Sequence, residues 1–425
     1  MRGMVVERVV AAKQPPIERF RHLLSELGCA CGFSCADSSD EVVWEKSTSL
    51  RITFKLHRGH VTVSAAHTAH PDTLSQWGTA TYADLERALS RYPDTHEPLS
   101  PPQPATPQAL RLKVLSNQRV CEDHYLMRLK VPRGTRIAPQ PGQFFHVICD
   151  PVRNEVDPYP LTLRRPFSIH GIAYAGFRRE LLASAGDIPL EISATLVRQP
   201  AEVNFLYKVV GRGTSALTRV MRGQVLDVIG PCGHGFDIDT TKEAVLVAGG
   251  IGTAPLVALA EQLRFLGIKV HMYLGALKGE FLAPALCRPE RECGWPADED
   301  TPEFRQLILD EFREIGVPDV HICTDDGSAG EKGFVTAILE RHLRTGVLPK
   351  DNICVYTCGP HGMLRAVVDI TRRYALPCQV SMEERMACGI GACMGCTCKT
   401  VTPDGSDRKR VCKDGPVFNA EEIQF

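Results

Sequence analysis

The sequence lacks an excess of either charge, since 49 lysines and arginines stand against 50 aspartates and glutamates along 425 residues. This balance gives no electrostatic reason to expect nucleic acid or an anionic membrane surface as a partner. An unbroken run of about 18 apolar residues is also missing, so we predict no transmembrane helix. The basic start MRGMVVERVV has no apolar core, which is unlike a secretory signal and leaves a short organellar peptide as the alternative.

Cysteine, by contrast, is abundant, with 17 in the chain. Five of them fall between Cys388 and Cys412, and the others are scattered, which does not predict a disulfide framework. Scattered free cysteines in a chain of this length are typical of a reducing compartment, and we therefore predict a cytoplasmic protein.

Composition and periodicity divide the chain into segments. Residues 93–107 contain six prolines and predict an extended linker after an N-terminal domain, of unknown role, at 1–92. That domain is predicted to be α+β, because helical spacing at 17–27 precedes an alternating strand at 50–56.

Three further segments follow the linker. Short strands broken by glycine and proline at 108–238 predict an antiparallel β-barrel. At 239–375, apolar strands such as AVLVAGG alternate with helical stretches, which predicts a parallel sheet with flanking helices. Residues 278–304 have little periodicity and are predicted to be a surface insertion. The segment 376–425, which is rich in cysteine, is predicted to be a small domain of its own.

The most specific motif is a cysteine pattern. Cys388, Cys393, Cys396 and Cys412 follow C-x4-C-x2-C-x15-C, the plant-type spacing for a [2Fe–2S] cluster. The glycines between them let the loop bend through conformations that a side chain resists. The alternative is a structural zinc site, although zinc favours paired C-x2-C knuckles and only Cys393 and Cys396 form one. Because such a cluster carries single electrons, the pattern predicts electron transfer.

Other cysteines are weaker metal candidates. Cys398 is excluded from the ligand set, because two residues beyond Cys396 on an extended loop its side chain points elsewhere. Cys29, Cys31 and Cys35 lie close together in CACGFSC, but their spacing fits no metal pattern well. A second metal site there stays open.

A second set of motifs suggests a cofactor that carries phosphate. RPFS at 165–168 follows a strand-like LTLR, and its arginine can pair bidentately with a pyrophosphate, although an ordinary strand end is the alternative. GRGT at 211–214 opens a helical stretch whose backbone N–H groups can bind phosphate. Together with GPCGHGF at 230–236, these elements are much more specific for a flavin site than any one alone.

A glycine-rich turn predicts a dinucleotide site. VAGGIGTAP follows the first predicted parallel strand and opens a helix, which is the context for a pyrophosphate. Gly249, Gly250 and Gly252 form the turn, and Pro255 replaces the third glycine of G-x-G-x-x-G; proline is tolerated in a first helical turn. The acid usual after the second strand is absent, since the chain reads LGALK, so NAD and NADP both stay open.

Two strand ends are further candidates for nucleotide contact. Cys358, Gly359 and Pro360 follow the last strand, where ligands bind in open α/β sheets, and Cys358 is a catalytic candidate beside the nicotinamide. The alternative is a tight turn. Asp325 in TDDG also ends a strand and could meet the ribose, but Asp-Gly is equally an ordinary turn.

Taken in order, the motifs resemble those of a known family. They are RRPFSI, LYKVVGRGT, GPCGHGF, VAGGIGTAPL, TDDGSAGEKGFVT, TCGP and ERMACGIGACMGCTCK…VCKDGPVF. From about residue 108 onward the chain resembles the iron–sulfur flavoprotein electron-transfer subunit of NAD-dependent dihydroorotate dehydrogenase, within the ferredoxin–NADP reductase superfamily.

The resemblance implies three cofactors: FAD, NAD(P) and a [2Fe–2S] cluster held by the four patterned cysteines. It implies FAD contacts from Arg165, Pro166, Phe167, Ser168, Leu206, Tyr207, Lys208, Gly213 and Thr214. The implied partner is an FMN-containing α/β-barrel subunit that oxidises dihydroorotate to orotate in pyrimidine biosynthesis. We see no general acid or base for that chemistry in this chain, which fits an electron-transfer subunit.

The sequence also departs from the family pattern. Lys208 stands where arginine is usual, and Phe167 where an aliphatic residue is usual. The N-terminal domain and the 278–304 insertion have no counterpart in the minimal family member. Because insertions can build a different interface, a sulfhydrogenase or a ferredoxin-dependent transhydrogenase is an alternative oxidoreductase partner. A redox-sensing or assembly protein is an alternative of another class.

Overall fold

The computed structural model describes residues from 34 onward in five stretches. These are 34–81, 107–149, 163–174, 200–282 and 309–425, less gaps at 39–40, 47–49, 58–59, 68–69, 133–134, 136, 310 and 403–404. The described residues form two compact units, one including 34–81 and the other including 201–425 and those between 107 and 172. The helix predicted at 17–27, nearly all of the linker and most of the insertion lie outside the described residues.

The smaller unit is an antiparallel meander of strands. They are β1 (Ser34–Asp37), β2 (Glu41–Lys46), β3 (Leu50–His57), β4 (His60–His67) and β5 (His70–Thr81). Each strand pairs with its neighbour in the sequence. The strand predicted at 50–56 is β3, which pairs with β4 so that Phe54 lies opposite Val63.

The larger unit begins with an antiparallel sheet. Its strands are β6 (Gln108–Cys121), β7 (His124–Lys130), β8 (Phe144–Val147), β9 (Arg165–Ser168), β10 (Gly171–Tyr174), β11 (Pro200–Lys208) and β12 (Val225–Cys232). Across the sheet they lie in the order β10-β11-β7-β6-β12-β8-β9. The N–H of His170, just after β9, donates to the carbonyl of Asn204 in β11 at 2.8 Å. The two ends of the strand order therefore approach each other, as the predicted barrel requires. A short helix, α1 (Arg212–Leu217), precedes β12.

The predicted parallel sheet with flanking helices is confirmed. Its strands are β13 (Glu243–Gly249), β14 (Val270–Ala276), β15 (Asp319–Thr324), β16 (Glu331–Lys332), β17 (Ile353–Cys358), β18 (Cys378–Ser381) and β21 (Val417–Asn419), in the order β16-β15-β14-β13-β17-β18-β21. The helices between them are α2 (Thr253–Phe265), α3 (Val335–Thr345) and α4 (His361–Arg373). No helix in the described stretches is long and apolar enough to cross a membrane.

The cysteine-rich segment shares this sheet. β18 runs parallel to β17, with Ser381 opposite Cys358, and β21 pairs antiparallel with β18. Only the hairpin of β19 (Thr397–Thr402) and β20 (Gly405–Arg410) forms a separate ladder in the described part of this segment. The residues that carry the cysteine pattern are therefore built onto the edge of the parallel sheet.

Alternation along β13 divides the interior into two cores, because successive strand side chains point to opposite faces. Leu246 packs in one core, whereas Val245 packs in the other. The second core also contains Phe144 of β8 together with Cys396 and Cys412. The cysteine-rich segment thus packs against both the parallel sheet and the barrel.

The GPCGHGF motif makes a further contact between the barrel and this segment. The N–H of His234 donates to the carbonyl of Gly415 at 2.6 Å, and His234 forms a bridge with Pro416. Gly233 has φ of 73°, and a β-carbon there would lie 2.6 Å from Pro416 Cδ. The motif therefore needs glycine for close packing against the C-terminal segment.

A buried histidine links three strands where the parallel sheet begins. His271 of β14 contacts Glu243 of β13 through Nε2 at 2.8 Å and Asp319 of β15 through Nδ1. Burial would lower the pKa of His271, but the bonds to Asp319 and Glu243 raise it. Hydrogen bonds from His271 and His321 hold the pKa of Asp319 low. The positive charge of Lys269 acts to lower the pKa of His271. Nε2 of His321 also contacts Asp319, at 3.0 Å.

We expect His271→Gln to lower the unfolding free energy by about 2 kcal/mol near pH 6, as for a hydrogen bond to a charged group. A raised pKa gives stability that is complete below the unfolded value of about 6.5 and is lost as pH rises through the folded pKa. The wild-type advantage should therefore shrink towards pH 9. Calorimetric unfolding at several pH values measures it, and an advantage that is constant from pH 6 to pH 9 would contradict this account.

Candidate cofactor sites

The first three patterned cysteines lie on one loop that follows β18. Gly389 and Gly391 have φ of 69° and 84°, in the left-handed region that favours glycine. Met394 adopts φ of 57° in the same loop. These turns shape the loop that carries Cys388, Cys393 and Cys396.

Backbone N–H groups point at the sulfur atoms. The N–H of Cys393 donates to Cys388 Sγ at 3.4 Å, and that of Gly391 donates to Cys412 Sγ at 3.1 Å. The N–H of Cys412 donates to Cys396 Sγ at 3.4 Å. Such donors favour the thiolate, which is the form that binds metal.

The thiols differ in how readily they ionise. Burial would raise the pKa of Cys388, but backbone N–H groups, that of Ile390 foremost, lower it to about 6. Burial, with the neighbouring Cys396, raises the pKa of Cys412 to about 12. A coordinated metal deprotonates such a thiol outright.

The cysteine arrangement suits a cluster with two irons. Among the residues that the structure describes, no three His, Cys, Asp or Glu side chains converge on a single ion. A [2Fe–2S] cluster does not need this convergence, because its four cysteine ligands are divided between two irons. The quartet, its N–H donors and its glycine turns fit that group.

Two neighbours of the loop have structural roles. Cys398 lies on β19, where its thiol donates to the carbonyl of Lys409 at 3.7 Å, and burial raises its pKa to about 11. Arg410 donates to the carbonyl of Gly391 at 3.0 Å and pairs with Asp414 at 2.9 Å, so it braces the cysteine loop. No sequence pattern predicted this contact, because RKR is typical of a solvated charge run.

The RPFS and GRGT motifs lie together. Arg165 Cγ and Nε lie 3.5 Å from the place that a β-carbon on Gly213 would occupy. Thr214 Oγ1 accepts from the N–H groups of Val210 and Gly211 at 2.9 and 3.2 Å, which orders the turn into α1. The partly exposed guanidinium of Arg165 is thus held beside a glycine where a phosphate can approach.

Three predicted flavin contacts have side chains that are already packed. The Phe167 ring, 6% exposed, lies 6.1 Å from the ring of Phe205 and 5.8 Å from that of Tyr207. Leu206 and Tyr207 are each 2% exposed, and the Tyr207 hydroxyl donates to Asn117. The Phe167 ring therefore packs in the barrel core.

Pro166 and Ser168 occupy the opposite face of β9 from Phe167, since strand side chains alternate. Lys208, at the end of β11, lies with its ammonium 4.3 Å from the ring centroid of Phe281. Phe281 belongs to a turn just beyond β14, so Lys208 connects the barrel with the parallel-sheet region. A cation–π contact thus positions its charge.

The glycine-rich turn packs against the end of β17. A β-carbon on Gly252 would lie 2.7 Å from the N atom of Gly359, and one on Gly249 would lie 2.9 Å from Pro360 Cδ. Gly250 has φ of 53°, and Pro255 lies in the first turn of α2. The two predicted nucleotide motifs therefore meet where parallel strands end, at the edge that binds ligands in such sheets.

Asp325 and Cys358 also lie at that edge. The N–H of Asp325 donates to the carbonyl of Ala276, which ends β14, at 3.0 Å, and the Asp325 side chain is exposed. The Cys358 thiol is fully buried, and burial raises its pKa well above the ordinary value. Cys358 therefore presents no thiolate for catalysis, and its role at this edge is to pack beneath it.

A titratable residue at this edge escaped the sequence analysis. Glu383 follows β18 and is reached by solvent, yet surrounding protein raises the pKa of its carboxyl, opposed by His361. It also raises the pKa of the Cys358 thiol. Its position between the last parallel strand and the cysteine loop could have been noticed in SMEERMACG.

Comparison with known proteins identifies the family that the chain resembles. Residues 383–424 match the family model for the iron–sulfur cluster binding domain of dihydroorotate dehydrogenase B. The chain is 33% identical over 316 residues to the dihydroorotate dehydrogenase B (NAD(+)) electron transfer subunit of Caldanaerobacter subterraneus, covering 74% of this chain and 98% of that one. It is 34% identical to the same subunit of Fusobacterium nucleatum, covering 73% and 97%.

A solved structure shares the fold. The structure of an NADH-dependent reduced ferredoxin–NADP oxidoreductase, described for flavin-based electron bifurcation, superposes with a TM-score of 0.51 at 25% identity. The match covers 74% of this chain and 89% of the other. On the relatives' identity and coverage, the chain belongs to the family of electron transfer subunits of dihydroorotate dehydrogenase B (NAD(+)).

Proposed function

We propose that this chain carries electrons between NAD and an FMN-containing dihydroorotate dehydrogenase subunit. The observation that supports it most is the continuity of β17 and β18. The nucleotide edge ends at Cys358, Ser381 lies directly beside it, and the chain then enters the cysteine loop. One sheet thus joins a predicted hydride-exchanging site to a predicted one-electron site.

The residues divide the task of holding three groups. Arg165, Lys208 and the backbone of 213–214 would hold FAD, the turn at 249–252 would hold the nucleotide, and the four patterned cysteines would hold the cluster. Bound there, FAD would exchange hydride with the nicotinamide, and the cluster would carry electrons singly. The chain itself binds and orients these groups and keeps the thiols of Cys358 and Cys398 neutral.

The partner and the location are part of the proposal. The relatives are named as subunits of an NAD(+)-dependent dihydroorotate dehydrogenase B, and each is matched almost completely. A cytoplasmic complex agrees with the cysteines, because the twelve whose side chains the structure describes are free. About a quarter of this chain extends beyond the 74% that the relative covers, and its role is not part of the match.

A different oxidoreductase partner is the second candidate. The structural match is to a reduced ferredoxin–NADP oxidoreductase, which favours a transhydrogenase type over a sulfhydrogenase. Anaerobic co-purification from the native source, with cofactor analysis, separates the two. We expect a partner that contains FMN and a complex that reduces NAD⁺ with dihydroorotate; a tight partner without FMN would refute the dihydroorotate assignment.

We expect Cys393→Ser to abolish stable cluster binding, because Cys393 supplies one of the four required thiolates. Cys398→Ser is the matched control, since Cys398 is bonded within the hairpin, and it should retain about two irons per chain, as in a [2Fe–2S] cluster. Iron and acid-labile sulfide analysis measures both. Equal cluster loss in the two variants would contradict the ligand set.

We expect Arg165→Ala to weaken FAD binding by more than about tenfold, as for loss of a hydrogen bond to a charged group. Arg164→Ala is the control, because Arg164 is engaged with Asp227 at 2.8 Å. FAD content after gel filtration and titration of the apoprotein provide the measurement. The assignment of Arg165 fails if both variants retain FAD equally.

A further inference from the structure

We propose that His146 is the positioning residue that connects the flavin-binding strand β9 to the cysteine loop and helps set the reduction potential of the cluster. The proposal rests on the proposed function, because it concerns the same flavin and cluster sites. No sequence motif singled out this histidine. Its position emerges only when the barrel and the C-terminal segment are seen together.

His146 lies on the face of the sheet that packs against the cysteine-rich segment. It shares this face with Phe144, because residues two apart on a strand point to the same side. His146 of β8 pairs with Pro166 of β9, and Phe144 pairs with Ser168. Side chains of directly paired residues lie on the same face of a sheet. Phe144 packs in the core that contains Cys396, so this face is the one that meets the segment.

The contact with the loop is direct. A β-carbon on Gly389 would lie 2.8 Å from Cγ and Cε1 of His146, closer than side chains pack. Gly389 immediately follows Cys388 and has φ of 69°. Because this residue is glycine, the loop has no side chain at the position where it packs against the imidazole. The ring therefore packs against the residue that follows Cys388, the first predicted cluster ligand.

The ring nitrogens of His146 have no hydrogen-bond partner among the described residues. His146 is 0% exposed, and neither ring nitrogen reaches an acceptor with hydrogen-bond geometry in the described stretches. The backbone of Cys388 and that of Arg164 lie near the ring. An imidazole carries at least one N–H in either protonation state, and a buried N–H must be satisfied.

A cluster bound by the cysteine loop would offer sulfur atoms as acceptors beside this ring. Hydrogen bonds to sulfur are among the protein's means of setting an iron–sulfur potential. Reduction adds negative charge to the cluster, and a nearby N–H dipole stabilises that charge. Removing the donor should therefore make the cluster harder to reduce. It should also weaken the packing of the cysteine loop against residue 146.

The test uses His146→Phe, which keeps a ring of similar shape and removes the N–H. We expect a more negative cluster midpoint potential, a changed electron paramagnetic resonance signal and cluster reduction by NADH that is slower by about tenfold, as for neighbours of metal ligands. FAD content should not change. His146→Asn retains an N–H and should restore the potential towards the wild-type value.

His124→Phe is the matched control. His124 is 1% exposed and lies on β7, which is separated from β8 by β6 and β12 in the sheet. The His124→Phe substitution removes a buried imidazole from the same sheet, at a strand that is not next to β8. A shift of potential in this variant equal to that in His146→Phe would show a general effect of core damage and overturn the proposal.

A double mutant tests the contact itself. Gly389→Ala should reduce sulfide content, because the new methyl group meets the imidazole. His146→Ala should recover part of that loss in the double variant, since residues in contact are coupled. Simply additive losses would overturn the contact.

The outcomes separate this inference from the proposed function. If the wild-type chain, purified anaerobically, incorporates no cluster, the proposed function fails. If it incorporates a cluster whose potential and spectrum are unchanged in His146→Phe and His146→Asn, only the role of His146 fails.

Discussion

The edge of the parallel sheet fixes where the cysteine loop can lie. β18 extends the sheet beside β17, and β21 returns to pair with β18. The N–H of Met382 then donates to the carbonyl of Pro416 at 2.8 Å, which ties the start of the loop to the strand that follows it. Moving the loop relative to the nucleotide edge would break these backbone hydrogen bonds, so the two sites keep a fixed relation.

Electrostatics distinguishes the cysteines that this frame carries. Burial keeps the thiols of Cys358 and Cys398 neutral, whereas N–H groups in the cysteine loop lower the pKa of Cys388 to about 6. The chain thus offers a metal-binding thiolate at Cys388, while the thiols of Cys358 and Cys398 stay inert. This contrast depends on local backbone direction, because all of these residues are chemically identical.

The sequence predicted the parts whose signal is local. Cysteine spacing, the glycine-rich turn and the alternation of apolar strands anticipated the loop, the nucleotide edge and the sheet that joins them. It could not show that Phe167 turns into the barrel core, because the face of a short strand depends on its neighbours. Nor could it show that Arg410 braces the cysteine loop or that His146 meets Gly389, since these contacts join residues far apart in the chain. The proposed boundary near residue 375 also crosses a sheet whose last strands come from the cysteine-rich segment.

The central claim is that nicotinamide electrons reach the cluster within this one chain. Anaerobic titration of the isolated, cofactor-loaded protein with NADH tests it directly, with flavin followed by absorbance and the cluster by electron paramagnetic resonance. The account predicts that flavin absorbance bleaches and that a reduced [2Fe–2S] signal appears without any partner. A flavin that is reduced while the cluster stays oxidised, even though dithionite reduces it, would contradict the account.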